Sequence, residues 1–449
     1  MWRWIVTSPR VRLLVEVYEG RVASAILSNG FVQHCVADGA EVTVLTPGAA
    51  FPPFRERYAQ PGLTFEHLPV DTPVSGSGWL VRWEKRLGNQ LVRRGWRTAR
   101  RRLWEVFGAR LAAADAGQLA AAVDAAKPDA FVTTDVNMGL ARALVGTCQR
   151  RRIPTLGNIF SWDHPYYEQP SRPDWLTCWS PMVKRELVRR SGFAASRVEI
   201  IGAPAFDAYL DPANVWSRAE LCQRLGFDAS RPLLLFATLG QHKKYLDETG
   251  SFRALMDEID AGRIPGPPQV VLRLHPVSND HYFSEYGSRP DVVFSRYVGY
   301  SPGMRWWPSQ EEVILAGNLL RHADVCVSPG STMAVEPAIF DTPVVVPVFN
   351  QFQPEAYGRF FGQHWLRKHF QVLVEQQLLP FAFSAAEMRD AVCRALADRS
   401  WMSDGRRVIR EEVLGPLDGR ATERLARAAM RLARRQQPVD EGPGPGEPR

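Results

Sequence analysis

The chain reads as an α/β protein of two Rossmann-like, doubly wound domains facing a central cleft. Three observations predict this. Apolar runs of strand length alternate with segments of helical spacing over nearly the whole sequence. Those runs are apolar throughout, as in strands covered on both faces of a parallel sheet. The alternation occurs in two sets that meet near residue 210, and 449 residues supply material for two or three ordinary domains. A composition of 45% hydrophobic and 23% charged residues excludes a disordered chain, a collagen-like chain and a small disulfide scaffold.

In the first half the expected strands are Trp4–Thr7, Val42–Thr46, Ala130–Thr133, Thr155–Ile159 and Leu176–Trp179. Helical spacing falls at Arg21–Ala37, Ala112–Ala126 and Met182–Arg190. In the second half the strands are Leu233–Thr238, Val270–Leu274, Asp291–Phe294, Asp324–Val327 and Val344–Val348, with a helix at Gln310–His322. The expected divisions are an N-terminal domain 1–210, a C-terminal domain 211–400, C-terminal helices 401–435, and a Pro/Gly-rich tail 436–449 too polar to pack. The six cysteines are scattered and form no CxxC pair, so they read as buried free thiols in a reducing cytoplasm, not as zinc ligands. The opening MWRWIVTSPR is too short in apolar length for a signal-peptide core, and no run reaches the roughly 18 residues needed to span a bilayer.

Four elements stand where strands end, which is where open α/β sheets bind ligands. The sharpest is Asp324–Glu336: a strand, a small turn and an expected helix opening near Ser331. Gly330 permits close backbone approach, and Ser328, Ser331 and Thr332 offer hydroxyls beside free N–H groups. Glu336, a turn further on, suits sugar or ribose hydroxyls. The plainer reading is a strand–turn–helix with an N-cap serine. Next, Arg273-Leu-His275-Pro276 presents a histidine at a strand's end to a phosphate or sugar oxygen, with Arg273 in support; the plainer fate of such a histidine is a bond to the neighbouring domain. Third, Thr238 and Gly240 follow the first strand of the second set, ahead of a basic loop at Lys243 and Lys244. Fourth, Ser161-Trp162-Asp163-His164 follows a strand of the first set, with Asp163 as a general base and His164 as its alternative, or Asp163 as a turn cap. Thr7-Ser8-Pro9-Arg10 occupies the equivalent place after the expected first strand. No DxD-type carboxylate pair calls for a metal, and GxGxxG and GxxxxGK[ST] patterns are absent, so dinucleotide oxidoreduction and P-loop hydrolysis lack support.

Together these residues resemble the GT-B glycosyltransferase-like superfamily, in particular CDP-glycerol glycerophosphotransferase-like proteins and bacterial surface-polysaccharide glycosyltransferases, and more distantly UDP-N-acetylglucosamine 2-epimerases. The resemblance rests on Cys178–Leu210 (CWSPMVKRELVRRSGFAASRVEIIGAPAFDAYL), on RLHP at Arg273–Pro276, SPGSTMAVE at Ser328–Glu336, FDTPVV at Phe340–Val345, and Leu417-Asp418-Gly419-Arg420, in that order. It covers Trp4 to Leu432. It implies a nucleotide-diphosphate sugar as substrate, without a further cofactor, held in the C-terminal domain by Ser328, Gly330, Ser331, Thr332 and Glu336, with His275 at the donor phosphate. A hydroxyl acceptor would lie on the N-terminal domain, near Ser8, Arg10 and Ser161. The last helix, Thr422–Arg434, would cross back onto that domain. Two departures stand out. Pro337 replaces the alanine usual after Glu336. The glycerophosphotransferase branch carries a catalytic His-Gly where this chain has Asp163-His164-Pro165, which favours sugar transfer. The expected activity is a glycosyltransferase of cell-envelope polysaccharide or glycolipid synthesis. The alternatives are a nucleotide-sugar epimerase, hydrolase or glycerophosphotransferase on the same fold, and a non-catalytic nucleotide-binding protein.

The net charge of +7 is a local property. Between Trp79 and Arg110, ten basic residues face only Glu84 and Glu105, an excess of about +8 that leaves the remainder near neutral. Trp79, Trp83 and Leu87 are spaced as a helical stripe beside the arginines. The readings are an anionic membrane surface, a wall for an anionic and lipid-linked acceptor, a nucleic-acid site, or a solvated helix whose tryptophans pack on the domain. The solvated helix is the plainest reading; among partners, peripheral contact of a cytoplasmic enzyme with the inner face of the membrane comes ahead of an anionic acceptor, and nucleic acid is set aside. Gly88 and Gly95 are expected to interrupt a single long helix.

Overall fold

The computed structural model describes residues 10–436, apart from 69–78, 111–116, 135, 137–138, 167–170, 240–247, 277, 279, 297–303, 305, 351–354, 356–357, 360 and 367. The first sheet consists of β1 (Val11–Glu16), β2 (Ala40–Thr46), β3 (Leu63–His67), β4 (Ala130–Thr133), β5 (Thr155–Asn158), β6 (Trp175–Cys178) and β7 (Val198–Ile200). Its order is β3-β2-β1-β4-β5-β6-β7, and every pairing is parallel. The second sheet consists of β8 (Leu233–Ala237), β9 (Gln269–Arg273), β10 (Val292–Ser295), β11 (Val325–Val327), β12 (Val344–Pro347) and β13 (Phe381–Ala382). Its order is β10-β9-β8-β11-β12-β13, again parallel throughout. Each chain half starts at mid-sheet, winds to one edge, returns and winds to the other. The order therefore reverses between β1 and β4 and between β8 and β11, and a crevice opens at the carboxyl ends there. The two crevices face each other. This is a GT-B-type architecture of two Rossmann-like domains.

The central strands are apolar because both faces are covered: all five residues of β8 and of β9 are buried. Helix Gln310–His322 appears with the expected bounds, opened by a reciprocal capping box in which Ser309 Oγ accepts from Glu312 N–H (3.1 Å) and the Glu312 carboxylate accepts from Ser309 N–H (2.7 Å). Other elements differ from expectation. Trp4–Thr7 lies outside the described residues, and the strand that begins the sheet is β1, whose Arg12 and Glu16 interrupt its apolar run. Glu16 is fully buried, its carboxylate accepting from Thr133 Oγ1 (2.9 Å) and Thr134 N–H (3.3 Å). The short β7 and β13 and the half-polar edge strand β3 were not expected. The expected helix Arg21–Ala37 is two, Gly20–Leu27 and Phe31–Ala37. Residues 437–449 of the expected tail lie outside the described residues.

Two of the connections between the domains rest on a long-range cap and a buried anchor. The boundary run supplies Asp207, whose buried carboxylate accepts from Ala421 N–H (3.0 Å) and Thr422 N–H (2.7 Å) and so caps helix Ala421–Ala433 from far along the chain. That helix places Leu425, Ala426, Ala429 and Met430 in the first domain's core, against Leu13 and Val15. Arg431 pairs with Glu199 to hold it there. The second connection is a clasp from the second domain. Met304 is fully buried in the first domain's core, where Thr46 Oγ1 donates to its sulfur at 3.6 Å. The Trp307 indole N–H donates to the Tyr58 hydroxyl (3.0 Å), its ring sits 5.6 Å from Phe54, and Arg57 donates to the Pro308 carbonyl (2.8 Å). Among the described residues no helix is long and apolar enough to cross a membrane. All six cysteines are free thiols, five of them buried.

Candidate active site

The second domain's wall is built at the ends of β8, β9 and β11. Thr238, just past β8, accepts the His275 N–H at its hydroxyl (2.7 Å), bonds Ser278 Oγ (3.0 Å), and donates its own N–H to the Arg273 carbonyl (2.9 Å). These bonds tie the two strand ends together and present His275 beside Arg273. The Arg273 guanidinium is buried and donates to Ser295 Oγ at 2.9 Å. After β11 the chain turns sharply at Gly330, with φ of 135°. A Cβ there would lie 2.8 Å from the Trp365 ring, whose indole N–H donates to the Pro329 carbonyl (3.2 Å). Backbone conformation and packing both demand glycine.

The expected helix at Ser331 does not form. Ser331 Oγ accepts from Met333 N–H (3.2 Å), but the chain then makes only a 3₁₀ turn at Thr332–Ala334 and another at Glu336–Phe340. Pro337 lies in the second turn, and its missing N–H accounts for the break. A macrodipole needs a run of aligned peptides, so its support for a phosphate here is lost. Hydroxyls, imidazole and guanidinium groups remain. Glu336 lines the cavity, half-buried. Burial raises its carboxyl above the ordinary value, and the Thr332 hydroxyl and Arg273 charge offset this only in part. Ser328 is fully buried beneath the turn with its N–H donated to the Val345 carbonyl (3.0 Å), so it does not line the cavity as expected. Gly240 lies outside the described residues.

The first domain's wall follows β5. The Ser161 hydroxyl donates to the Asp163 carboxylate. Burial alone would raise that carboxyl; the His164 charge, the Ser161 bond and the His369 charge outweigh it and hold Asp163 below its ordinary value. His369 comes from the second half of the chain. The fully buried Trp162 fixes it there, packing edge-on with ring centroids 4.6 Å from His369 and 5.2 Å from Phe370. Three further residues line the cavity. Arg21, just past β1, pairs with Glu19 (2.6 Å) and lays its guanidinium over Phe160 (5.1 Å) and Trp306 (5.3 Å). Trp179, just past β6, has a buried indole N–H that meets no acceptor among the described residues. Trp306 lines the cavity, whereas Trp307 belongs to the clasp. Arg10 stands at the opposite, amino end of β1, exposed and paired with Glu41 at 2.9 Å, away from the acceptor-side position expected of it. Ser8 lies outside the described residues.

Between the walls is a cavity of about 450 Å³, in the size range of small-molecule sites. Ser161, Asp163, His164, Thr238, Arg273, His275, Gly330, Ser331, Thr332 and Glu336 all line it, joined by Arg21 and His369. Three imidazoles and two guanidiniums thus share one cleft with the carboxyls of Asp163 and Glu336. Among the described residues no three His, Cys, Asp or Glu side chains gather at metal-ligand spacing.

No family model and no curated protein sequence matches the chain. Solved structures share its fold over almost its whole length. S. aureus MnaA, solved with UDP, is 13% identical over 96% of this chain and 100% of its own, with a TM-score of 0.57. UDP-GlcNAc 2-epimerase from Neisseria meningitidis, solved with UDP-GlcNAc, is 11% identical over 94% and 100%, with a TM-score of 0.56. The wall teichoic acid polymerase TagF is 9% identical over 95% and 90%, with a TM-score of 0.55. At these identities the likeness shows the fold alone, a GT-B-type architecture.

Proposed function

We propose that the cavity binds a nucleoside-diphosphate sugar and that the protein is an enzyme acting on it. The observation that carries this is the cationic and hydroxyl-bearing set at the switch point of the second sheet, Arg273, His275, Ser331 and Thr332, facing a carboxylate of the first domain across one cavity. Structures of the same fold hold UDP and UDP-GlcNAc, which supports a uridine nucleotide. Those two structures favour a reaction that consumes the sugar nucleotide alone, an epimerisation or hydrolysis. In hydrolysis water takes the diphosphate's place on the anomeric carbon, and in an epimerisation that proceeds by elimination the diphosphate leaves and then adds back; in both, charge gathers on the diphosphate as its bond to the sugar breaks, and preorganised donors at the site stabilise it.

A second reading, glycosyl transfer to a hydroxyl acceptor in cell-envelope polysaccharide or glycolipid synthesis, draws on Asp163. Held below its ordinary value, this carboxyl is ionised at neutral pH and accepts the proton as the acceptor oxygen bonds to the anomeric carbon and the diphosphate leaves. TagF supports transfer as a chemistry this fold can carry. Glycerophosphate transfer and non-catalytic binding are the remaining alternatives.

Thermal unfolding with UDP, GDP, CDP and dTDP tests the site. A nucleotide at a hundred times its Kd stabilises the fold by about 2.7 kcal/mol. Incubation with UDP-GlcNAc alone then separates the readings: epimer or free sugar indicates the first, and product only with an added acceptor indicates the second. No stabilisation by any nucleotide overturns both.

A further inference from the structure

The basic segment folds as an arm on the first domain, with a locked inner side and an unusual outer one. Helix Trp79–Arg93 and helix Arg97–Leu103, which continues into a wider turn at Trp104–Gly108, pack together around Glu84. Glu84 is fully buried, and its two carboxylate oxygens accept from Arg100 (2.8 Å) and Arg142 (3.3 Å). Gly88 makes the approach possible, since a Cβ there would stand 2.4 Å from Arg100 Nε. It therefore lies within the first helix as a contact point, and the break falls at Gly95 (φ 77°). Trp104 is buried beneath the Arg142 guanidinium at 4.9 Å, with its indole N–H on Gln149 (2.8 Å). Arg100 and Trp104 are accordingly interior groups.

The outer side carries the rest. Trp79, Trp83, Trp96 and Phe107 are 69, 47, 56 and 52% exposed, and Leu80 and Val106 are exposed with them. Trp79, Trp83 and Leu87 stand one turn apart on one flank of the first helix, and Arg82, Arg86 and Arg93 occupy the adjoining flank. Arg94, Arg101 and Arg102 extend the positive surface. An arginine cluster alone suits any polyanion. Large apolar rings left in water beside the arginines suit a partner with an apolar layer under an anionic one, which is a lipid surface: tryptophan settles at the headgroup level while arginine meets phosphate.

We propose that this outer face docks the protein peripherally on a membrane rich in anionic lipid. The docked face lies one layer from the cavity. Helix Trp79–Arg93 packs on the turn Leu187–Ser191, and that turn packs on His164–Tyr166, which carries the cavity-lining His164. The proposal goes beyond the reaction above and does not depend on it, because docking requires no nucleotide.

Co-sedimentation of the full chain, without nucleotide, with vesicles of phosphatidylcholine alone and with added phosphatidylglycerol tests it. The wild type should bind only the anionic vesicles, more weakly as salt rises. A variant with Arg86→Gln, Arg93→Gln, Arg94→Gln and Arg102→Gln should bind at least roughly a hundredfold more weakly, at about fivefold per arginine near the surface. A variant with Trp79→Ser, Trp83→Ser and Trp96→Ser should also lose binding. Both variants alter exposed side chains only, and an unchanged unfolding temperature shows that they remain folded. Absence of wild-type binding to anionic vesicles overturns the proposal, as does equal binding to neutral ones. So does undiminished binding by either folded variant. Retention on heparin that depends on the arginines but not the tryptophans, without vesicle binding, assigns the face to a soluble polyanion and overturns it too.

Discussion

The two sheets share one winding order through six strands and differ most in the same crossover, the return from the outer edge strand to the strand beside the switch point. In the first domain this passage leaves β3 and reaches β4 through the Arg/Trp arm. In the second it leaves β10 and reaches β11 through Met304, Trp307 and helix Gln310–His322. One crossover buries Trp104 but turns Trp79, Trp83, Trp96 and Phe107 outward with an excess of charge; the other sets Trp306 at the cavity and Trp307 into the neighbouring domain. The sheets and their strand ends define the cavity. The crossovers decide what the molecule holds on to, so identical topology yields opposite uses of tryptophan.

The largest effect expected from breaking this comparison is at Glu84. Glu84→Ala leaves Arg100 and Arg142 buried without their carboxylate and should cost about 3–5 kcal/mol in urea unfolding. A loss under about 1 kcal/mol would mean that the arm is not locked to the domain. Next is Trp307→Ala, which should cost about 3 kcal/mol and raise amide exchange at Phe51–Tyr58, in the other domain. Exchange changes confined to the second domain would remove the clasp from the comparison.

The smallest effects sharpen the contrast between the cavity walls. Asp163 is held below its ordinary value, so its contribution to stability exists above that value and fades as pH falls through the folded one. Asp163→Asn should therefore destabilise at neutral pH, with the gap closing in acid. Glu336 is raised, so its contribution exists below the ordinary value and is lost as pH rises through the folded one. Glu336→Gln should stabilise slightly at neutral pH, and this gap too should close in acid. Denaturant midpoints measured from acid to neutral pH would show the opposite signs, and equal signs would refute the assigned environments.

The cavity's second-domain wall was largely legible in the sequence, because Thr238, Arg273, His275 and Gly330 follow apolar runs whose carboxyl ends must meet at the crevice. The bounds of Gln310–His322 were legible because its cap is local. β1 was not, since the buried Glu16 finds partners in Thr133 and Thr134, which lie far along the chain. With the first strand misplaced, Arg21 went unnoticed and Arg10 was set at the wrong end. His369 carries no local signal; its place depends on Trp162, which lies in the other half of the chain. Ser328 and the helix at Ser331 failed for one reason: the motif shows which residues form the turn, but not how deep it sits or how Pro337 ends it.

Residues from late in the chain complete the core of the early half: Met304 and helix Ala421–Ala433 both lie in the first domain's cluster, and Trp162 packs on His369 and Phe370 across the cleft. Neither half can unfold without exposing apolar surface that the other contributes. Heating should therefore melt the molecule in one step instead of domain by domain, and a single calorimetric peak would report it.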